Sequence, residues 1–289
     1  MQTTMDDEFL STVLNATVDI TARRRVTGGS INQCEILTLS NGRTIFLKTP
    51  SGKTIPGMYK VESMGLELLA QPGYLQVPLP IYYDEDILLT EAFSAGEPAP
   101  NWQEQMGRGL ALLHQSTQQL RFGFDCDNFL GTTPQPNTWQ ENWLIFWRKQ
   151  RLGFQFNLLR EKVDKEDALL VLGEKLLNRL DQILTCDAEK AVLLHGDLWS
   201  GNAAANEKGE PVIFDPASYY GNREAEFGMM RLFGGFSREC EDAYQEVWSF
   251  QDDYERRFVV YRLYHQLNHL NLFGGSYYAG CLTTIRELL

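Results

Sequence analysis

The sequence predicts an α+β, bilobal fold: a small N-terminal β-sheet lobe with one helix, then a larger, mainly helical C-terminal lobe. Three observations predict it. Two strand-like runs, 34–39 and 43–49, flank Asn41-Gly42, a strong two-residue hairpin signal. The Pro- and Gly-containing stretch 94–100 is the best linker in the chain. Beyond it helical periodicity dominates, broken only by short apolar strands at 191–195, 203–205 and 211–214. The expected division is therefore 1–93 and 94–289.

In chain order, the arginine run Arg23-Arg24-Arg25 reads as a solvated strand edge. Gly28-Gly29-Ser30 comes next, a turn whose backbone N–H groups can approach phosphate oxygens because glycine puts no side chain in the way. The two strands follow, and Lys48 ends the second on the same side as Phe46. After the Gly/Pro loop Pro50 to Gly57, a helix is expected over 59–70. Its polar face is Lys60, Ser63, Glu67 and Gln71, and its apolar face holds Leu66 and Leu69. Glu62 falls on that apolar face, where a carboxylate needs a partner. A third strand is expected over 86–93, ending in Glu91-Ala92-Phe93 just before the linker. Helices are expected over 102–120, 139–160 and roughly 164–185, with two or more after 222.

Composition narrows the function classes. With 289 residues the chain can bury a large core, and with 43% apolar and 22% charged residues it reads as an ordinary globular protein. No apolar run reaches membrane-spanning length, and Met1 to Leu10 carries three acidic residues and no basic, apolar leader. The net charge of −12 and the lack of a basic stripe argue against a nucleic-acid partner. Five scattered cysteines (34, 126, 186, 240, 281) without a C-x-x-C pair suggest reduced thiols and a cytoplasmic setting. Cys34, just after the glycine turn, is expected to be a small buried strand residue rather than a redox switch.

The chemistry concentrates in Leu194-His195-Gly196-Asp197-Leu198-Trp199-Ser200-Gly201-Asn202, followed by a short strand ending at Asp215. The pattern H-x-D-x-x-x-x-N can place Asp197 and Asn202 on one tight loop, and a hairpin can return Asp215 to the same cavity. This is how kinase-like folds gather polar groups around a nucleotide triphosphate. Asp197 is the expected catalytic carboxylate on the acceptor hydroxyl, with Asn202 and Asp215 as hard oxygen ligands for Mg2+. Lys48 would bind ATP phosphates, held by Glu62, and the backbone of Glu91, Ala92 and Phe93 would meet adenine. Trp199, Tyr219 and Tyr220 are candidate substrate contacts, and His195 a brace for the loop. The order of parts is that of a protein kinase or an aminoglycoside-phosphotransferase-like enzyme, so the fold is expected to be protein-kinase-like. Residues 1–93 would form the nucleotide-binding lobe and 94–289 the catalytic and substrate-binding lobe.

Further motifs make the resemblance narrower. They include Gly28-Gly29-Ser30-Ile31-Asn32, Glu62 with Gly65-Leu66, Asp127-Asn128-Phe129-Leu130-Gly131, Pro134-Gln135-Pro136-Asn137 and Arg151-Leu152. Asp215-Pro216-Ala217-Ser218-Tyr219-Tyr220-Gly221 and the twin Phe-Gly-Gly segments at 233–235 and 273–275 add to them. Over nearly its whole length the chain resembles the fructosamine kinase (ketosamine-3-kinase) family. The resemblance implies ATP-dependent phosphorylation of a ketoamine at its 3-hydroxyl, with release of the amine as deglycation repair. The implied partner is a small-molecule ketoamine or a glycated lysine, with no nucleic acid and no membrane. In that family Asp197 maps onto the catalytic aspartate, Asn202 and Asp215 onto the magnesium ligands, and Lys48 and Glu62 onto the nucleotide pair.

Alternatives from other patterns are weaker. Ser51-Gly52-Lys53-Thr54 lacks the upstream glycine of a phosphate loop, since Leu47 stands there. Asp125-Cys126-Asp127 has Leu130 and Pro136 where a calcium loop needs Gly and Glu. His265 and His269 share a helix face without a third ligand. Two rival functions remain: a kinase for another hydroxylated amine, such as an aminoglycoside, and a nucleotide-binding pseudokinase scaffold. Intact Lys48, Asp197, Asn202 and Asp215 count against the scaffold.

Overall fold

Alternation along the strands builds the first part of the chain. A computed structural model describes residues 5–26, 32–185 and 189–289. Helix α1 (Asp7–Leu14) starts where Asp6 accepts the Phe9 N–H at 2.9 Å, an N-cap. Strands β1 (Ile20–Val26), β2 (Asn32–Leu39) and β3 (Thr44–Pro50) follow, then α2 (Met58–Ala70), β4 (Pro80–Tyr83) and β5 (Leu88–Glu91). The strands form one antiparallel sheet in the order β1-β2-β3-β5-β4. In β3, Ile45 and Leu47 point into a core shared with Leu10, Leu37 and Leu89. Phe46 and Lys48 point to the opposite face, into an open cleft. The exposed arginines of β1 form the expected edge, where charge discourages further strand pairing.

Two expectations for this region are corrected. The Leu39 N–H donates to Arg43 O at 2.9 Å, so three residues close the β2–β3 hairpin, not two. Ser63, expected on the polar face of α2, is only 1% exposed. The reason is that α2 is covered on more than its apolar stripe. Leu66 and Leu69 join the large core, and the helix also lies against Pro216–Ser218. A Cβ at Gly65 would come within 3.0 Å of Ser218 Oγ, so glycine permits the close approach.

The second part is helical around a large core, with six short strands in three antiparallel pairs among the described residues. Its elements are α3 (Trp102–Ser116), β6 (Asn128–Leu130), β7 (Thr133–Gln135), α4 (Trp143–Phe146), a π-helical stretch (Trp147–Gly153), α5 (Phe154–Arg160) and α6 (Ala168–Leu177). Then come β8 (Val192–Leu194), β9 (Ala203–Ala205), β10 (Pro211–Ile213), β11 (Tyr219–Gly221), α7 (Ala225–Met230), α8 (Arg238–Val247), α9 (Tyr254–Phe273) and α10 (Tyr278–Leu288). Helix boundaries shift where side chains intervene. The helix expected from Trp139 starts at Trp143 because Asn142 accepts the Ile145 N–H at 2.8 Å. Helix α3 stops before Leu120 because the Thr117 hydroxyl donates to Leu113 O and receives the Leu193 N–H. The segment 164–185 yields α6, opened by an Asp167 cap, and a separate short turn at Leu180–Gln182. Among the described residues, no helix is long and apolar enough to cross a membrane.

Candidate active site

The loop that carries Asp197 is held at both ends by strand pairing. Strand β8 pairs antiparallel with β11, and β9 with β10. Between them, the Phe214 N–H donates to Asn202 O at 3.0 Å and the Ala217 N–H to His195 O at 2.9 Å. These bonds bring Asp215 beside the 195–202 loop. Gly196 has φ +82°, and a Cβ there would lie 2.2 Å from Ala217 O, so only glycine fits. Asp215 itself sits in the left-handed region at φ +57°, a conformation that costs on the order of 1 kcal/mol for a non-glycine residue. Asn202 Nδ2 donates to Asp197 O at 2.9 Å and to Asp197 Oδ2 at 3.1 Å. His195 is fully buried, and burial lowers its pKa. The neutral ring can donate from Nε2 to Phe214 O at 2.9 Å while Nδ1 accepts the Asp197 N–H at 3.3 Å. That is a brace, as expected.

Lys48 is the electrostatic centre. Its Nζ lies 2.7 Å from both Glu62 Oε1 and Asp215 Oδ1. Burial works against the ammonium, but the two carboxylates outweigh it and raise the pKa, so Lys48 stays charged. The Glu62 partner that the helix pattern demanded is thus found. Burial pushes the Asp197 carboxyl well above its ordinary value, with Asp215 adding to the shift and the Asn202 N–H opposing it.

Two hollows meet at this cluster. A cleft of about 380 Å³ is lined by Phe46, Lys48, Glu91, Ala92, Phe93 and Asp215, among others. A cavity of about 180 Å³ is lined by Asp197, Trp199, Asn128, Phe129 and Pro216, among others. Lys48, Glu62, Asn202 and Asp215 line both, whereas Asp197 lines only the cavity. Trp199 meets Phe233 edge-on at 5.7 Å, and Phe233 meets His269 at 4.9 Å, so an aromatic row leads away from Asp197. Gly28, Gly29 and Ser30 lie outside the described residues.

Two expected substrate contacts are corrected. Tyr219 is 3% exposed, stacks on Phe146 and lies under the Arg151 guanidinium at 3.9 Å. Tyr220 turns the other way and packs against Trp139 and Phe124. Neither lines the cavity around Asp197. Adjacent residues of β11 face opposite sides: Tyr219 enters the core, and Tyr220 lies half-buried among aromatic side chains.

The donor set suits magnesium. Asp215 has a 41% exposed side chain, and Asn202 Oδ1 accepts no hydrogen bond among the described residues. Both offer hard oxygens at the junction of the hollows. Among the described residues no group of three or more His, Cys, Asp or Glu side chains could hold a metal ion. Two protein ligands completed by phosphate oxygens are the usual arrangement for Mg2+ in nucleotide sites.

Sequence reasoning missed Glu226. Its Oε2 accepts the His195 N–H at 2.6 Å and its Oε1 the Gly196 N–H at 3.0 Å. His114 Nε2 stands 3.8 Å from Oε2, and His114 Nδ1 lies 2.9 Å from the Tyr244 hydroxyl. The sequence carried no signal for it: the run 223–230 mixes an arginine and two glutamates with apolar residues, and that all of it is buried is seen only in the structure.

Cys34 faces Lys48 across the β2–β3 ladder and lines both hollows. Burial pushes its thiol up to about 11; Lys48 opposes this, and Asp215 and Glu62 add to it. At pH 8 about one part in a thousand would be thiolate. Cys34 should therefore alkylate with iodoacetamide roughly a hundred-fold more slowly than a free cysteine, read by peptide mass spectrometry. Fast labelling at pH 8 would show that the thiol is activated instead.

With this geometry in view, comparison with known proteins is decisive. A family model described as fructosamine kinase matches residues 1–289. The chain belongs to the fructosamine kinase family. It is 37% identical over 289 residues to a chloroplastic protein-ribulosamine 3-kinase of Arabidopsis thaliana, covering 98% of this chain and 86% of that protein. A Thermobifida fusca crystal structure with a provisional fructosamine-3-kinase assignment superposes with a TM-score of 0.88 at 26% identity, covering 98% of this chain and 97% of that one. An ADP-bound aminoglycoside phosphotransferase shares the fold alone, with a TM-score of 0.67 at 13% identity and 98% coverage of both chains. The fold is thus the kinase-like one expected, an N-terminal antiparallel sheet followed by a larger helical part.

Proposed function

We propose that this fructosamine kinase family member transfers the γ-phosphoryl group of ATP to the 3-hydroxyl of a ketoamine, such as a fructosamine or ribulosamine. The substrate class spans small ketoamines and glycated lysine, and the role is deglycation in the cytoplasm. One observation carries the reading: the cleft and the cavity share Lys48, Glu62, Asn202 and Asp215, while only the cavity reaches Asp197. Donor and acceptor can therefore approach a common wall from opposite sides.

In this reading ATP lies between the lobe of residues 1–93 and that of residues 94–289. From their sequence, Gly28, Gly29 and Ser30 would serve its phosphates, and the 91–93 segment would meet adenine. Lys48, fixed by Glu62, binds phosphate oxygens. Asn202 and Asp215 would hold Mg2+, which supplies charge neutralisation on the triphosphate. Asp197 orients the acceptor hydroxyl. As the hydroxyl oxygen bonds to the γ-phosphorus, the bond to the β,γ-bridging oxygen breaks and ADP leaves. The hydroxyl proton passes late to Asp197 Oδ. Trp199 gives the sugar or its amine arm an aromatic face.

The test is ATP consumption by purified protein with Mg-ATP across a panel of fructosamines, ribulosamines and aminoglycosides, with the product position read by NMR. Ketoamine-dependent turnover with a 3-phosphate is expected. Turnover that ignores every ketoamine would eliminate the reading.

A further inference from the structure

A row of amides runs from a buried cation to the cavity beside Asp197. Arg151 is fully buried, and among the described residues its partners are carbonyls, one amide and ring faces rather than carboxylates. Its guanidinium donates to Pro136 O at 2.6 Å, to Gln150 O at 3.1 Å and to Asn137 Oδ1 at 2.7 Å. It lies 3.9 Å from the Tyr219 ring centre and 4.6 Å from that of Phe146. Cation–π contact offsets part of its desolvation, but among the described residues no carboxylate pairs with it.

Asn137 passes the polarity on. Its Nδ2 donates to Asn128 Oδ1 at 2.9 Å, and Gln135 Nε2 donates to the same oxygen at 2.7 Å. Both lone pairs of that oxygen are thus taken, which fixes which end of the Asn128 amide is nitrogen. Asn128 Nδ2 donates one hydrogen to Ser218 O at 2.8 Å. An amide nitrogen carries two, and the second has no partner among the described residues. Asn128 is only 3% exposed, yet it lines the cavity with Asp197, Trp199 and Phe129. It does not line the larger cleft on the far side of Lys48. Asn137 accepts from the cation and donates to Asn128, the member of the row that lines the cavity. Such chains polarise cooperatively in a low-dielectric interior, which strengthens the last donor.

We infer that Asn128 is a substrate-contacting specificity residue: its second N–H donates to a sugar oxygen next to the hydroxyl that faces Asp197. Arg151, acting through Asn137, is a positioning residue that polarises this donor. A neutral donor on a cavity wall suits a neutral hydroxyl or carbonyl oxygen, and the phosphates of the nucleotide belong to the cleft. The inference rests on the cavity being the ketoamine site.

The experiment compares a ketoamine with two analogues that lack the oxygen at C2 or at C4 and keep the 3-hydroxyl. In the unmodified enzyme, one analogue should lose about ten- to hundred-fold in kcat/KM, because it leaves the donor unpaired. In Asn128→Ala that ratio should shrink to within about three-fold. Asn128→Asp keeps the acceptor for Gln135 and Asn137 but has no N–H, and should lose the discrimination as well. Arg151→Lys, which loses the planar fork to Asn137, should weaken the ratio while KM for ATP stays near its original value. A purely structural role would lower stability without changing the ratio. Equal turnover of both analogues by the unmodified enzyme overturns the inference without any variant, as does an unchanged ratio in folded Asn128 variants. No turnover of any ketoamine would instead fail the functional reading beneath it.

Discussion

Asp197→Asn is expected to lower kcat roughly 10²- to 10⁴-fold while leaving the Kd for ATP within about two-fold. The substitution is nearly isosteric and touches the cavity rather than the cleft. Asn202 Nδ2 now donates to Asp197 Oδ2 at 3.1 Å, and an amide oxygen in the same place can still accept it. What disappears is the anion proposed to receive the hydroxyl proton. Lys48, Glu62 and Asp215 keep their contacts, so nucleotide binding should survive. Stopped kinetics with retained ATP binding, read by calorimetry, would match the assignment; unaltered turnover would remove Asp197 from the acceptor side. The same carboxyl sets a pH signature. Its folded pKa is raised, by burial first and Asp215 second, so protonation begins above the ordinary aspartate value of about 3.9. A protonated Asp197 cannot accept the proton. Activity should therefore fall as pH drops through that raised range, and an acid limb at or below about 4 would contradict it.

The residues whose convergence was legible in the sequence were those whose placement follows from spacing. Asp197 and Asn202 lie on one loop, and Asp215 returns through the β9–β10 hairpin, so chain connectivity alone forces them together. Lys48 followed from strand period two, and Glu62 from a carboxylate stranded on an apolar helix face. Tyr219 failed for a related reason. Strand β11 is three residues long, with Tyr219 and Gly221 buried, so no polar alternation marked which side was cavity. Strands β4, β6 and β7 span three or four residues each, too few for a periodic signal. The Asn128–Asn137–Arg151 row was visible only as motif residues. Their partners are distant amides and carbonyls, which leave no local pattern. The family resemblance supplied the chemistry of the acceptor; the side-chain pattern alone reached no further than a hydroxyl near a triphosphate.

Glu226 marks the same boundary from the other direction, because its partners are backbone groups. Glu226→Gln is expected to lower kcat about 10²-fold with KM for ATP nearly unchanged. The carboxylate offers one oxygen to the His195 N–H and the other to the Gly196 N–H. Glutamine must present its own N–H₂ to one of these donors, whichever way the amide turns. The orphaned N–H then costs about 1–3 kcal/mol in the folded state, and the loop shifts to relieve it. The loop cannot move freely toward Ala217, since Gly196 already stands at the limit of approach to Ala217 O. Relief must come from residues 195–197, and Asp197 is the residue that moves with them. His195 O also accepts the Ala217 N–H at 2.9 Å, so the shift reaches the segment after Asp215. Lys48 and Glu62 sit on separate elements, β3 and α2, which is why nucleotide affinity should hold. Steady-state kinetics beside a thermal melt separate the two meanings. A fallen kcat at temperatures where the protein remains folded identifies Glu226 as the anchor of the catalytic loop. A lowered melting temperature with kcat intact would make it a stability residue only.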